Sequence, residues 1–260
     1  MERIVSKDNE RIKLLAKLQK SRRTREESET FVAEGVRLAR EVLAGGLAVR
    51  QAFATEAAAG RYAAVWEALC QKAQEAFWLA ESLEEKISDV RSPQGIYCIC
   101  DIPRPAPQGM VCAGKLLALD RLQDPGNLGT ILRTADAFGA GGVILGGQCA
   151  DCFSPKVVRS TMGSVFRLPV WQVEDLARTL LDLRREGFVC FGAALDETAR
   201  RLGEVVFPAR TVAVIGNEGN GISPQVLAAC QQTLYIPMKG KAESLNAGVA
   251  ASLILWEMCR

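Results

Sequence analysis

Among 260 residues there is no histidine. That absence removes Ser-His-Asp triads, imidazole general bases and imidazole metal ligands. Any chemistry must therefore rest on Arg, Lys, carboxylates, hydroxyls, amides, thiols or a cofactor. Long apolar runs are also missing: none reaches the ~18 residues that a membrane span needs. The longest candidate, AGVAASLILWEM near the C-terminus, reads as a buried helix. The opening stretch MERIVSKDNERIKLL is charged from its second residue and carries Glu2, Asp8 and Glu10. It lacks the apolar core of a signal peptide and the acid-poor composition of a transit peptide, so the expected location is the cytoplasm.

The nine cysteines are odd in number and dispersed, a pattern of reduced thiols and not of a disulfide framework. Cys149 and Cys152 form a single C-x-x-C in GGQCADCFSPK, which reads as a loop. A zinc site would need a second such pair, and a redox motif would open a helix after a strand. These thiols are expected to be structurally incidental, and no metal is expected.

Apolar residues make up 48% of the chain, enough for sizeable cores, and the length suggests two domains at ~100–200 residues each. The formal net charge is only +2, yet its placement is uneven. Between Lys7 and Arg25 eight basic residues (Lys7, Arg11, Lys13, Lys17, Lys20, Arg22, Arg23, Arg25) face only Asp8 and Glu10. One polyanion-binding end on an otherwise balanced protein is the expectation, against the plainer reading of a solvated helix face.

Residues 1–102 alternate helical and strand-like pieces. NERIKLLAKLQKSRR places Ile12, Leu15 and Leu18 at helical spacing; FVAEG reads as a strand, VRLAREVLAGG as a helix, VRQAFA as a strand. The Ala-rich AGRYAAVWEALCQKAQ follows as a helix, then strands AFWLA and GIYCICDI flank a short helix in ESLEEKISDV. This is a small α/β unit. Residues 103–115, with Pro103, Pro105 and Pro107, carry the proline cluster expected of a linker. From 116 to 260 the alternation resumes, with strands KLLAL, GGVILG, FVCFGAAL, TVAVIG and TLYIPM between helices. Short apolar strands separated by helices indicate a parallel sheet covered on both faces, with ligands at the strand carboxyl ends.

Four segments of this second part carry candidate chemistry. In LDRLQDPGNLGTILRTADAFGA the Asp124–Asn127 stretch is turn chemistry before a helix, with Asn127 a candidate N-cap. Arg133 lies six residues on, and an arginine in so apolar a helix suggests an anionic partner. The loop Gly216-Asn217-Glu218-Gly219-Asn220-Gly221 follows TVAVI but fits neither G-x-G-x-x-G nor a P-loop, and its carboxylate would repel phosphate. In IPMKGKAESLNAGVAASL, Ser244-Leu245-Asn246 opens a helix rich in small residues that permit close approach. SPKVVRSTMGSVFRLPV offers Lys156, Arg159 and Arg167, as phosphate contacts or as a solvated connection.

Asn127 to Arg133 (N-x-G-x-x-x-R), then IGNEGNGIS, then IPM with ESLNAGVAASL resemble, in that order, the signatures of the SpoU (TrmH-type) branch of the SPOUT RNA methyltransferases. The N-terminal IKLLAKLQKSRRTREESETFVAEGVRLAREVL is similar to the RNA-substrate-binding domain often attached to them, itself like small ribosomal proteins. The resemblance implies methyl transfer from S-adenosylmethionine to a ribose 2′-hydroxyl of RNA, 23S rRNA foremost and tRNA as the alternative. It also implies a parallel sheet closed by a deep trefoil knot, and a homodimer. On the same ground, the cofactor would be held by Ala193, Gly216, Asn217, Glu218, Gly219, Ile236, Pro237, Met238, Ser244, Leu245 and Asn246. Arg133 would be the catalytic residue, oriented by Asn127 and Glu218, with Ser244 and Asn246 near the ribose. RNA would meet Arg11, Lys13, Lys17, Lys20, Arg22, Arg23, Arg25, Lys156 and Arg159. A noncatalytic RNA-binding or ribosome-assembly protein on the same fold is the competing reading. The intact set of polar site residues argues against decay, and the glycine spacing argues against a dinucleotide enzyme.

Overall fold

The computed structural model describes residues 1–242 and 244–260, and the chain divides into two compact units. Unit 1 comprises Met1–Pro103 together with Asp151–Arg167, and unit 2 comprises Arg104–Ala150 with Leu168–Arg260.

Unit 1 runs β1 (Arg3–Ile4), α1 (Glu10–Lys20), α2 (Arg22–Ser28), β2 (Thr30–Glu34), α3 (Val36–Ala44), β3 (Val49–Ala54), α4 (Glu56–Arg61), α5 (Ala63–Lys72), β4 (Glu75–Leu79), α6 (Glu84–Ile87) and β5 (Ile96–Asp101). Its sheet has the order β1-β4-β3-β5-β2, parallel from β1 to β3 and antiparallel from β3 through β5 to β2. The spacing of Ile12, Leu15 and Leu18 works as the sequence suggests: all three are fully buried against Val32, Phe53, Phe77 and Tyr97. The helix is shorter than expected, because Ser21 turns to extended backbone, ends α1 and caps α2 by accepting from the Thr24 N–H. The Ala-rich helix is likewise split at Tyr62, whose backbone leaves the helical region.

Unit 2 runs α7 (Pro107–Cys112), β6 (Lys115–Leu119), α8 (Pro125–Ala137) and β7 (Gly142–Leu145). The chain then gives α9 (Pro155–Thr161) to unit 1 and continues in unit 2 with β8 (Val170–Gln172), α10 (Leu176–Arg185), β9 (Val189–Ala193), β10 (Arg200–Arg201), β11 (Thr211–Ile215), α11 (Pro224–Ala229), β12 (Gln232–Tyr235) and α12 (Ala247–Cys259). The sheet order is β10-β12-β9-β11-β6-β7-β8 and every pairing is parallel. Strand β7 and strand β11 are buried along their whole length, as a sheet covered on both faces requires. After β12 the chain returns to pack α12 on α8 and against β6 and β11, and the Lys115 ammonium donates to the Met258 carbonyl near the end of α12.

Two local features are not visible in the sequence. Residues 151–167, read as part of 116–260, fold with unit 1: α9 buries Val157, Val158 and Thr161, and Phe153 and Phe166 pack on Phe31 at 5.0 and 5.5 Å. Aromatic burial of this kind outweighs the polar look of the segment. The proline-rich 103–115 also holds a helix, α7, because Pro107 sits in its first turn, where the missing N–H costs nothing. Among the described residues no helix is long and apolar enough to cross a membrane.

Candidate active site

The site of unit 2 is assembled at the carboxyl ends of β6, β9, β11 and β12, where a parallel sheet leaves backbone and loop ends open. Helix α8 starts earlier than the sequence suggests. Asp124 is its N-cap and accepts from the Asn127 N–H at 2.7 Å, with Pro125 in the first turn. Asn127 is therefore not the cap, and its side chain is available for other partners.

Those partners define the site. The Asn127 amide donates to Glu218 Oε1 at 3.1 Å, and its Oδ1 accepts from the Asn246 amide at 2.8 Å. Asn246 in turn caps α12, its Oδ1 accepting from the Gly248 and Val249 N–H groups. Glu218 also accepts from the Asp124 N–H at 2.9 Å and the Gln123 N–H at 3.2 Å. Burial alone would raise the Glu218 carboxyl, but the donors from Asp124, Asn127 and Gln123 prevail and hold it below its ordinary value. The three signature segments, far apart in sequence, are thus joined by one hydrogen-bonded line.

The loop before that carboxylate is shaped by its own backbone. Asn217 and Gly221 pair across it, and a Cβ at Gly216 would lie 2.1 Å from the Gly221 carbonyl carbon. Gly221 has φ +64°, a region favouring glycine. Asn217 Oδ1 accepts from the N–H groups of Gly219 and Asn220, and its amide donates to the Arg121 carbonyl. The bare backbone of Gly216 serves loop closure.

Beside this junction lies a cavity of about 380 Å³. It is lined by Ala193, Ala194 and Leu195 after β9, by Leu234, Tyr235, Ile236 and Met238 at and beyond β12, and by Gly240, Ala242, Leu245, Ala250 and Ile254. No basic side chain is among those residues. Of the residues expected at the cofactor, Ala193, Ile236, Met238 and Leu245 line this cavity; Leu195, Tyr235, Ala250 and Ile254 line it as well, at positions just past a strand or on the small-residue face of α12. Gly216, Asn217, Glu218, Gly219, Pro237, Ser244 and Asn246 are not among the lining residues. Ser244 is exposed and makes no hydrogen bond among the described residues.

Arg133 projects from α8 into solvent, and among the described residues no hydrogen bond or ion pair engages its guanidinium. The expected orientation of Arg133 by Asn127 and Glu218 is not what the geometry contains: both side chains are committed to each other, to Asn246 and to the loop before α8.

The basic segment of unit 1 also differs from expectation. Arg25 is buried, pairs with Asp151 at 2.6 Å and donates to the Leu18 carbonyl, so it holds unit 1 together and cannot meet RNA. Arg22 and Arg23 pair with Glu26 and Glu27 one turn on, Lys13 with Glu10, Arg11 with Glu75, and Arg159 with Asp89. Lys17, Lys20 and Lys156 are exposed and have no partner among the described residues. Cys149 is buried and donates to the Leu119 carbonyl, and no group of acids and thiols able to hold a metal occurs among the described residues.

An all-parallel α/β unit with an apolar cavity at the carboxyl ends of its strands has the form of a small-molecule site. The chain belongs to the SpoU rRNA methylase family, whose model matches residues 114–256; a second model, the MRM3-like substrate binding domain, matches residues 9–98. The chain is 33% identical to the 23S rRNA (guanosine(2553)-2′-O)-methyltransferase RlmP of Bacillus subtilis, over 99% of both proteins. Among solved structures, an AdoMet-bound rRNA methyltransferase from Sinorhizobium meliloti superposes with a TM-score of 0.85 at 27% identity, covering 99% of this chain and 97% of that one. The SpoU methyltransferase AviRb from Streptomyces viridochromogenes, in complex with AdoMet, superposes with a TM-score of 0.85 at 29% identity, covering 96% and 97%.

Proposed function

We infer that this chain transfers the methyl group of S-adenosylmethionine to a ribose 2′-hydroxyl of RNA, with 23S rRNA as the substrate and the cytoplasm as the place of action. The observation that carries this reading is the line Glu218–Asn127–Asn246, which fixes the loop after β11, the start of α8 and the start of α12 around one point. The adjoining cavity suits the cofactor: its volume lies in the range of small-molecule sites, and its walls offer nothing to attract phosphate. When bound, S-adenosylmethionine supplies an electrophilic methyl group on a cationic sulfonium. Ala193, Ile236, Met238 and Leu245 would wall it in, while the Glu218 carboxylate ties the loop after β11 to the start of α8. Arg133 remains charged at any working pH and is a poor proton acceptor. Its exposed guanidinium instead positions a substrate phosphate or stabilises the oxygen charge that develops as the hydroxyl attacks. Calorimetric titration of the full chain with S-adenosylmethionine and with ATP tests the cavity. Binding of the first alone is expected; tighter binding of ATP would overturn the reading.

The finer features of the resemblance belong to the same proposal. The return of the chain from β12 to α12 supports the trefoil knot. A second copy of the chain is the proposed occupant of the outer face of α12, where Val249, Leu253 and Trp256 are 47%, 40% and 53% exposed at positions i, i+4 and i+7. Trp256→Asp is expected to sediment as a monomer where the unaltered chain sediments as a dimer; a monomeric unaltered chain would contradict it.

A further inference from the structure

Unit 1 contains a cavity of its own, of about 400 Å³, which the methyl-transfer reading does not use. It lies at the carboxyl ends of the parallel strands β3 and β4, the topological position at which unit 2 carries its ligand. One wall follows β3: Thr55 caps α4, and Arg61 and Tyr62 end it, with the guanidinium 5.4 Å from the tyrosine ring centre. The opposite wall follows β4 and is acidic, with Glu81 and Glu84. The segment Ser92–Gly95 closes the side.

The two carboxylates are not equivalent. Glu84 accepts from the Tyr97 hydroxyl at 3.1 Å and is fixed by it. Its carboxyl is raised, by burial first and then by the nearby charges of Glu81 and Glu34, against the lowering effect of the Tyr97 bond. Glu81 is exposed and its side chain has no hydrogen bond or ion pair among the described residues. An unpaired carboxylate facing a like charge leaves acceptor capacity that a donor ligand would satisfy. With two acids against one arginine, the cavity disfavours a phosphate and favours a neutral group with N–H donors. An aromatic ring with a guanidinium beside it gives a flat partner a surface to stack on.

We propose that this cavity takes an unpaired guanine base of the RNA, stacked on Tyr62 and Arg61, with Glu81 accepting from its N1–H and amino group. The proposal rests on the reading of the chain as an RNA-modifying enzyme and adds a base-reading site in unit 1. Guanine alone among the four bases presents two adjacent donors on its Watson–Crick edge to one carboxylate. Adenine and cytosine present one amino group beside an acceptor, and uracil one N–H between acceptors. The cavity holds no residue of the methyl-donor site, so it reads a base and modifies none.

The test uses the full chain and five-nucleotide single-stranded RNA probes that differ only in a central G, inosine, A, C or U. Affinity is measured by fluorescence anisotropy. Guanine is expected to bind about tenfold or more tightly than A, C or U, with inosine, which lacks the amino group, between them. Glu81→Gln keeps one acceptor only and is expected to remove the guanine preference while leaving the salt dependence of binding unchanged. Arg61→Ala is expected to weaken all five probes alike. Equal affinity for all centres, or a guanine preference that survives Glu81→Gln with an unchanged melting temperature, overturns the proposal. Failure of the parent reading looks different: no methyl transfer to any RNA by the unaltered chain, with the guanine preference still present.

Discussion

The Glu218 carboxylate divides its work between its two oxygens, and that division can be measured. Oε1 accepts from the Asp124 N–H and the Asn127 amide; Oε2 accepts from the Gln123 N–H and, at 3.5 Å, from the Asn217 amide. In Glu218→Gln the remaining carbonyl oxygen takes the Oε1 position, which keeps Asn127 and through it Asn246. The new NH2 group then faces the donors of Gln123 and Asn217. One good bond and one weak one are lost at an exposed site, so the cost is about 1 kcal/mol. That predicts a melting temperature lower by about 2–4 °C and activity within about tenfold of the unaltered chain. Glu218→Ala loses every bond and frees Asn127, for about 2–3 kcal/mol and a fall of about a hundredfold in methyl transfer. The assay is transfer from radiolabelled S-adenosylmethionine to unmodified rRNA, paired with thermal denaturation. If Glu218→Gln were as inactive as Glu218→Ala, the negative charge and not the hydrogen-bond geometry would be what matters, and the reasoning would be refuted. The pH dependence has a definite sign: the folded carboxyl is depressed, so its stabilisation is complete above the ordinary carboxylate value and lost only as pH falls through the folded one. Between pH 5 and 8 this group contributes no pH dependence.

Other residues give sharper or simpler outcomes. Gly216→Ala places a Cβ against Gly221 backbone and is expected to abolish S-adenosylmethionine binding in calorimetry while unit 1 stays folded by circular dichroism. Arg25→Ala strands Asp151 and removes a buried pair, for a loss of about 3 kcal/mol in a urea melt, an effect absent from Arg23→Ala. Reversing Lys17 and Lys20 to Glu is expected to weaken RNA binding and flatten its salt dependence, and an unchanged slope would remove α1 from the RNA surface. Arg133→Lys keeps the charge but loses the planar fork; a large fall in kcat at unchanged S-adenosylmethionine affinity is expected, and full activity would refute a guanidinium role.

Five of the seven strands of unit 2 are legible as short, largely apolar runs, whereas β8 is only three residues long and β10 is the exposed pair Arg200–Arg201, which no apolar pattern marks. The site was legible as three motifs, but not as a wiring. Asp-Pro-Gly-Asn reads equally as a turn and as a capped first turn of helix, so the sequence leaves Asn127 as a candidate cap and as a site residue; once Asp124 holds the cap, the Asn127 side chain can bridge Glu218 and Asn246. A charge count along α1 and α2 weighs every cation alike. It could not separate Arg25, which is buried on Asp151 from a distant segment, from Arg23, which is solvated beside Glu27. The one available signal was the glutamate four residues after each of Arg22 and Arg23, a spacing that pairs charges on a helix. Segment 151–167 lies within the stretch that the SpoU model spans, yet it packs with unit 1 through Phe153 and Phe166 on Phe31, a contact between residues too distant in sequence for its local pattern to show.

The central claim is tested most directly by incubating the full chain with labelled S-adenosylmethionine and 23S rRNA, then digesting the RNA to nucleosides and identifying the labelled product by mass spectrometry. A single 2′-O-methylnucleoside, formed by the unaltered chain and not by Arg133→Ala, is the expected result. Label on a base, label in tRNA alone, or no label from a chain that still binds the cofactor would contradict it.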